Sequence, residues 1–180
     1  TAYFLTDSGV FIVVGLVSAA NPSYIDGTVQ VSGSDANLYL INPSGVLFGP
    51  DAQLSLSGSF TATSADQIEF EGEVLNVLDN DAGYSTFTGD PSAFHFTETS
   101  ASAVVNQADL AVASGESISL IGGNVANAGT LSAPGGEIGL VAVGGESTVR
   151  YGIPGSLLGL EMTQGSVPAV TGFAVSDLPA

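Results

Sequence analysis

Asp79-Asn80-Asp81-Ala82-Gly83, with Asp90 eleven residues beyond Asp79, is the stretch that comes closest to a chemical site. Oxygen ligands at alternate positions followed by a distant carboxylate are what a Ca²⁺ loop uses. The pattern breaks at its fifth position, where Gly83 brings no side chain, and at its sixth, where Tyr84 replaces the glycine that the turn needs. An acidic surface turn is expected there, with no metal or cofactor. His95 lies in Pro91–Phe96 (PSAFHF), whose neighbours read as packing and offer no nucleophile, so a structural histidine is expected. An eliminating lyase would need Arg150, the one Lys or Arg of the chain, as its base, and no acidic cluster lies near it in sequence. A glycosidase needs two carboxylates across one cleft, and the 18 acidic residues are scattered. Gly122-Gly123 and Gly135-Gly136 precede short apolar strands rather than helices, so neither reads as a phosphate loop. No catalytic residue is expected, and a polysaccharide-active enzyme is the least favoured class.

Charge narrows the partners further. Eighteen acids against one base give a formal net charge of −17. Nucleic-acid binding requires Lys and Arg to displace phosphate counterions and is excluded on that ground. An anionic membrane surface is disfavoured for the same reason. A self-repelling, soluble surface is expected, with attraction of divalent cations or cationic partners as the alternative. With no Cys, no disulfide staples the fold. The run Val10–Ala20 (VFIVVGLVSAA) is too short for a bilayer, which takes about 20 residues. It has no basic residue before it, so a buried strand is expected rather than a signal remnant, and no membrane span. Thr1 reads as a processed end or the start of an excised segment.

Whatever function exists must be positioned by short strands. With 44% hydrophobic residues, 24 Gly and only 11% charged residues, the composition favours β structure rich in tight turns over long helices. Across Asn37–Phe70, Leu38 and Leu40, Val46 and Phe48, Leu54 and Leu56, and Ile68 and Phe70 sit two apart, which sends each pair to one face of a strand. Ile118 and Leu120 recur as Ile138 and Leu140, twenty residues on, and Leu110 recurs as Leu131. A period near twenty with short strands marks a solenoid; an antiparallel sandwich is the competing arrangement. One domain is expected over 1–180: first coils over 1–70, an extra-helical excursion over 71–106, and further coils over 107–180. Roughly nine turns would make a rod about 43 Å long, with Leu, Ile, Val and Phe inside and Ser, Thr and Asn outside.

The run Leu40–Asp66 adds something more specific. Its Asn42-Pro43-Ser44-Gly45-Val46-Leu47-Phe48-Gly49 resembles the Asn-Pro-Asn-Gly-hydrophobic-x-Phe-Gly motif of the haemagglutination activity domain, with Ser44 in place of the second Asn. That domain is the N-terminal secretion domain of filamentous-haemagglutinin-type exoproteins exported by two-partner secretion. Ala2–Phe4 and Asn21–Gly27 upstream, with Pro91–Phe96 and Leu110–Leu140 downstream, are similar to the family in the same order, the last two to its cyanobacterial members. The resemblance implies a right-handed single-stranded parallel β-helix with a partial N-terminal cap and an extra-helical hairpin. It also implies a secreted or cell-surface protein whose partner is an outer-membrane transporter with periplasmic domains. The motif residues would be Asn42, Pro43, Ser44, Gly45, Phe48 and Gly49, preceded by Asn21 and Pro22. Pro43 presets φ for a turn, Gly45 permits positive φ, and Asn42 can bond its own backbone two residues on. The alternative role is a self-associating fibre or sheath subunit that stacks end to end through open strand edges.

Overall fold

The structure, a computed structural model, describes residues 1–79, 89–99, 101–151 and 160–164. Most of the stretch weighed as a Ca²⁺ loop, including Asp81, Gly83 and Tyr84, lies outside the described residues.

The chain winds as a parallel β-solenoid. Coil 1 holds β1 (Ala2–Leu5), β2 (Ile12–Leu16) and β3 (Ser23–Ile25), and coil 2 holds β4 (Thr28–Ser32), β5 (Asn37–Ile41) and β6 (Val46–Phe48). Coil 3 starts with β7 (Gln53–Ser55) and β8 (Phe60–Thr63). It leaves the rod for β9 (Gln67–Phe70), β10 (Glu73–Asn76) and β11 (Pro91–Phe96), and returns as β12 (Ala103–Asn106). Coil 4 holds β13 (Asp109–Ala111), β14 (Ile118–Gly122) and β15 (Asn124–Asn127), and coil 5 holds β16 (Thr130–Ser132) and β17 (Ile138–Ala142). β18 (Ser147–Tyr151) and β19 (Leu160–Gln164) then leave the rod. One face stacks β2, β5, β8, β14 and β17, and a second stacks β3, β6, β12 and β15. The third carries β1, β4 and β7, then β13 and β16.

The sequence recurrences are the strand register itself. Ile118 pairs with Ile138, Leu120 with Leu140, and Leu110 with Leu131, all in parallel. Equivalent residues are 22 apart from Leu38 to Phe60 but 58 apart from Phe60 to Ile118, because the excursion is spliced into coil 3. Five turns therefore make a rod about 24 Å tall, not the nine turns and about 43 Å that dividing the length by twenty suggests.

Two apolar cores result. Val29, Leu38, Leu40, Val46, Phe48, Phe60, Val104, Leu110, Ile118 and Leu120 fill the rod. The second core lies outside it. β10, β9, β11, β18 and β19 form an antiparallel sheet in that order, and this sheet lies over the outer face of the β5–β8–β14 stack. Tyr39, Ile41 and Ile121, which point out of the rod, pack there against Ile68, Phe70, Phe94, Phe96 and Val149. The expectation that only Ser, Thr and Asn line the outside fails on this face. β5 and β14 are apolar on both sides because both sides are covered. β12, inside the 71–106 stretch, is a rod strand, while β18 and β19, inside 107–180, belong to the outer sheet. Val10–Ala20 supplies strand β2, half-buried because it is the end strand of its stack. Thr1–Ile25 build a whole coil, and no strand pairs with its outward edge among the described residues. No helix of the described residues is long and apolar enough to cross a membrane.

Candidate functional site

Asn42 follows β5, and Pro43 cannot donate to a sheet ladder, so the strand must turn. Asn42 is fully buried. Its Oδ1 accepts the Ser44 amide at 2.9 Å, closing an Asx turn. Its Nδ2 donates to the Asn21 carbonyl at 3.1 Å and to Ser23 Oγ at 2.9 Å, both in coil 1. Ser44 Oγ donates to the Ala19 carbonyl at 3.1 Å, so the serine that replaces the second Asn of the motif also reaches coil 1.

Gly45 holds φ at +106°, and its amide donates to the Asn42 carbonyl at 2.8 Å. A Cβ there would stand 2.9 Å from the Ala103 carbonyl, where the excursion rejoins coil 3. Glycine is thus required twice, for the backbone angle and for the close approach of the next coil. Phe48 is fully buried, edge-on to Phe60 with ring centroids 5.8 Å apart. Gly49 donates to the Ile25 carbonyl at 2.8 Å, and a side chain there would collide with Asp26 and the Tyr24 hydroxyl. Asp26 Oδ1 in turn accepts the Asp51 amide at 3.0 Å. Local desolvation, a hydrogen bond to Asp26 and the charges of Asp26 and Asp51 raise the Tyr24 phenol above its ordinary pKa.

Asn21 and Pro22 belong to the same corner but not as a repeat of Asn42-Pro43. Ser23 pairs with Val46, so the two Asn-Pro-Ser sequences are out of step by two residues. The corner accordingly joins coils 1, 2 and 3 through backbone and amide groups.

A second polar cluster, not legible beforehand, lies on the outer antiparallel sheet. His95 Nε2 lies 3.0 Å from Glu69 Oε2, and its Nδ1 lies 3.0 Å from Thr148 Oγ1. Arg150 approaches Glu69 Oε1 at 3.8 Å, and Ser92 Oγ donates to the Glu69 carbonyl at 3.2 Å. The one histidine and the one arginine therefore converge on a single carboxylate. The order hydroxyl, imidazole, carboxylate is that of a nucleophilic triad. Here it lies on the face of a sheet in which β11 pairs with β9 on one edge and β18 on the other. What the arrangement does chemically is tie β9, β11 and β18 together. The alternation of Gln67 and Glu69, of Ala93 and His95, and of Thr148 and Arg150 places each pair on one strand face. Nothing in the sequence says that these three strands are neighbours. No group of three or more metal-ligating side chains converges among the described residues.

No curated protein matches the chain. The model of one family, the TPS secretion domain, matches residues 1–167, a span that takes in every coil of the rod, the Asn42–Gly49 corner and the outer sheet. The chain therefore belongs to the TPS secretion domain family, a non-enzymatic domain found in secreted proteins of two-partner secretion.

Proposed function

We propose that this domain is the part of a two-partner-secreted exoprotein that its outer-membrane transporter recognises, and that it nucleates solenoid folding once outside the cell. The observation that carries the reading is the family match over residues 1–167 together with the corner that joins the first three coils. A solenoid grows by pairing each new coil with the edge of the last, so its first stable coils template the rest. Asn42, Pro43, Ser44, Gly45, Phe48 and Gly49, with Asn21 and Pro22, are the residues we assign to that first template. The parent protein on this reading is a filamentous-haemagglutinin-like surface adhesin, and the secretion domain works as one unit without metal or cofactor. The family match does not favour the fibre-subunit role.

Pull-down with the periplasmic domains of the cognate transporter, and export of a reporter fused behind the domain, test the proposal. Binding and export are expected. A domain that neither binds nor carries the reporter out of a cell containing the transporter refutes it.

A further inference from the structure

A column of side-chain oxygens climbs one corner of the rod. Asn37 opens β5, and Ser59, Ser117 and Glu137 stand just before β8, β14 and β17. Asn37 Oδ1 accepts the Ser59 amide at 2.9 Å, Ser59 Oγ accepts the Ser117 amide at 3.0 Å, and Ser117 Oγ accepts the Glu137 amide at 3.1 Å. Each time the earlier coil supplies the oxygen and the later coil the N–H. Coil 1 has Ile12 at this position, with no acceptor, and there the Asn37 amide uses the Phe11 carbonyl instead.

The middle rung differs from the other two. Those made by Asn37 and Ser117 span 22 and 20 residues, one coil each. The Ser59 rung spans 58, because the excursion lies between its partners. It is also doubled: Ser59 Oγ donates to Glu116 Oε2 at 2.7 Å while it accepts the Ser117 amide. The bond to Glu116 commits the hydroxyl hydrogen and leaves the oxygen lone pairs to the amide. Two adjacent residues of coil 4 thus grip one side chain of coil 3.

This grip reads register. A slip of β14 by one residue would set Ser117 against Gly58 or Phe60, neither of which has a side-chain acceptor, and would turn Ile118 and Leu120 out of the rod. β12 returns to the rod before β14 but discriminates less. Val104 and Val105 are adjacent and alike, so a one-residue slip on β6 still leaves a valine inside. Both closures bridge the excursion, where the entropy cost of bringing strands together is greatest.

We propose that Ser59, gripped by Glu116 and Ser117, is a re-entry latch that fixes the register of coil 4 when the chain comes back from the excursion, before coil 5 is added. The proposal rests on the nucleation part of the reading above and names the step that decides whether the template is copied correctly. The direction of the column fits that role. A finished coil offers an oxygen, and the next strand to arrive brings the amide that fills it.

Refolding from urea, with the full domain and both rates measured, tests the latch. Ser59→Ala removes both bonds to coil 4. It is expected to slow refolding about fivefold or more and to leave the unfolding rate within about twofold of wild type, as for an interaction already made in the transition state. Glu116→Ala keeps the Ser59–Ser117 rung and is expected to slow refolding less. Ser117→Ala removes only the rung to Glu137 and is expected chiefly to speed unfolding. Unchanged refolding with faster unfolding in Ser59→Ala overturns the latch and leaves nucleation standing. If Ser59→Ala does not fold, the same two rates in Glu116→Ala decide in the same way. A wild-type domain that does not refold by itself overturns both.

Discussion

The corner at Asn42 is expected to be among the most costly polar positions to truncate. The Asn42 amide makes three hydrogen bonds: to the Asn21 carbonyl at 3.1 Å, to Ser23 Oγ at 2.9 Å and from the Ser44 amide at 2.9 Å. At a net ~1 kcal/mol each, Asn42→Ala removes about 3 kcal/mol. The site is fully buried, so a small void adds to the loss. Asn21 is exposed and Ser23 and Ser44 are half-buried, so water recovers part of it. The expected loss is about 2–4 kcal/mol, which in a domain of this size lowers the Tm by roughly 4–16 °C. Urea denaturation followed by circular dichroism measures it, with an unchanged m-value showing that the unfolded state is not altered. Asn42→Asp keeps the acceptor but loses both donors into coil 1, and it is expected to lose at least as much as alanine. In a double-mutant cycle, Asn42→Ala and Ser23→Ala should couple by about 0.5–1.5 kcal/mol. An Asn42→Ala protein within about 0.5 kcal/mol of wild type would show that the corner does not hold coils 1 and 2 together.

Gly45→Ala combines an unfavourable φ with a contact to the Ala103 carbonyl and is expected to destabilise by about 1–3 kcal/mol in thermal melts. Gly144→Ala, where a Cβ meets nothing within 4 Å and φ is ordinary, should stay within about 0.5 kcal/mol. Phe94→Ala opens a cavity between the rod and the outer sheet, losing about 3–5 kcal/mol and deprotecting β11 amides in hydrogen exchange before those of β5. Tyr24 should ionise above an ordinary phenol in ultraviolet titration, and Asp26→Asn should bring it back toward that value. Because the folded phenol keeps its proton longer than the unfolded one, its contribution is present below the unfolded pKa and disappears as pH rises through the folded one.

The coils were legible because a solenoid writes its register into the sequence. Residues about twenty apart that stack directly, such as Leu110 on Leu131, are both apolar because they face the same interior of successive coils. What alternation cannot encode is which neighbour a strand will choose. Ser147–Tyr151 alternates as a rod strand does, yet it pairs antiparallel with β11 instead of adding to the coil stack. With the excursion spliced into coil 3, that choice leaves five turns among the described residues rather than nine. One sign of the outer sheet was present in the sequence. Leu38-Tyr39-Leu40-Ile41 and Ile118-Ser119-Leu120-Ile121 are nearly unbroken apolar runs, and a strand with one face in water has no need of Tyr39, Ile41 or Ile121.

The two polar sites differ in legibility for the same physical reason. The Asn42 corner works through turn geometry, and a turn is specified by residues adjacent in sequence, so Asn, Pro and Gly announce it. The Glu69 cluster depends on strands that meet only after most of the chain has folded. Composition nevertheless carried a hint. In a chain with one Arg and one His among 18 acids, each basic side chain has many carboxylates to choose from, and a partly buried one gives the firmer contact. Glu69 is such a carboxylate, its side chain 17% exposed on a strand flanked by β10 and β11. His95 and Arg150 sit on β11 and β18, the two strands whose pairing closes the outer sheet. The Arg150–Glu69 contact joins β18 to β9 and so exists only once β18 has paired, whereas the His95–Glu69 contact lies within the excursion itself.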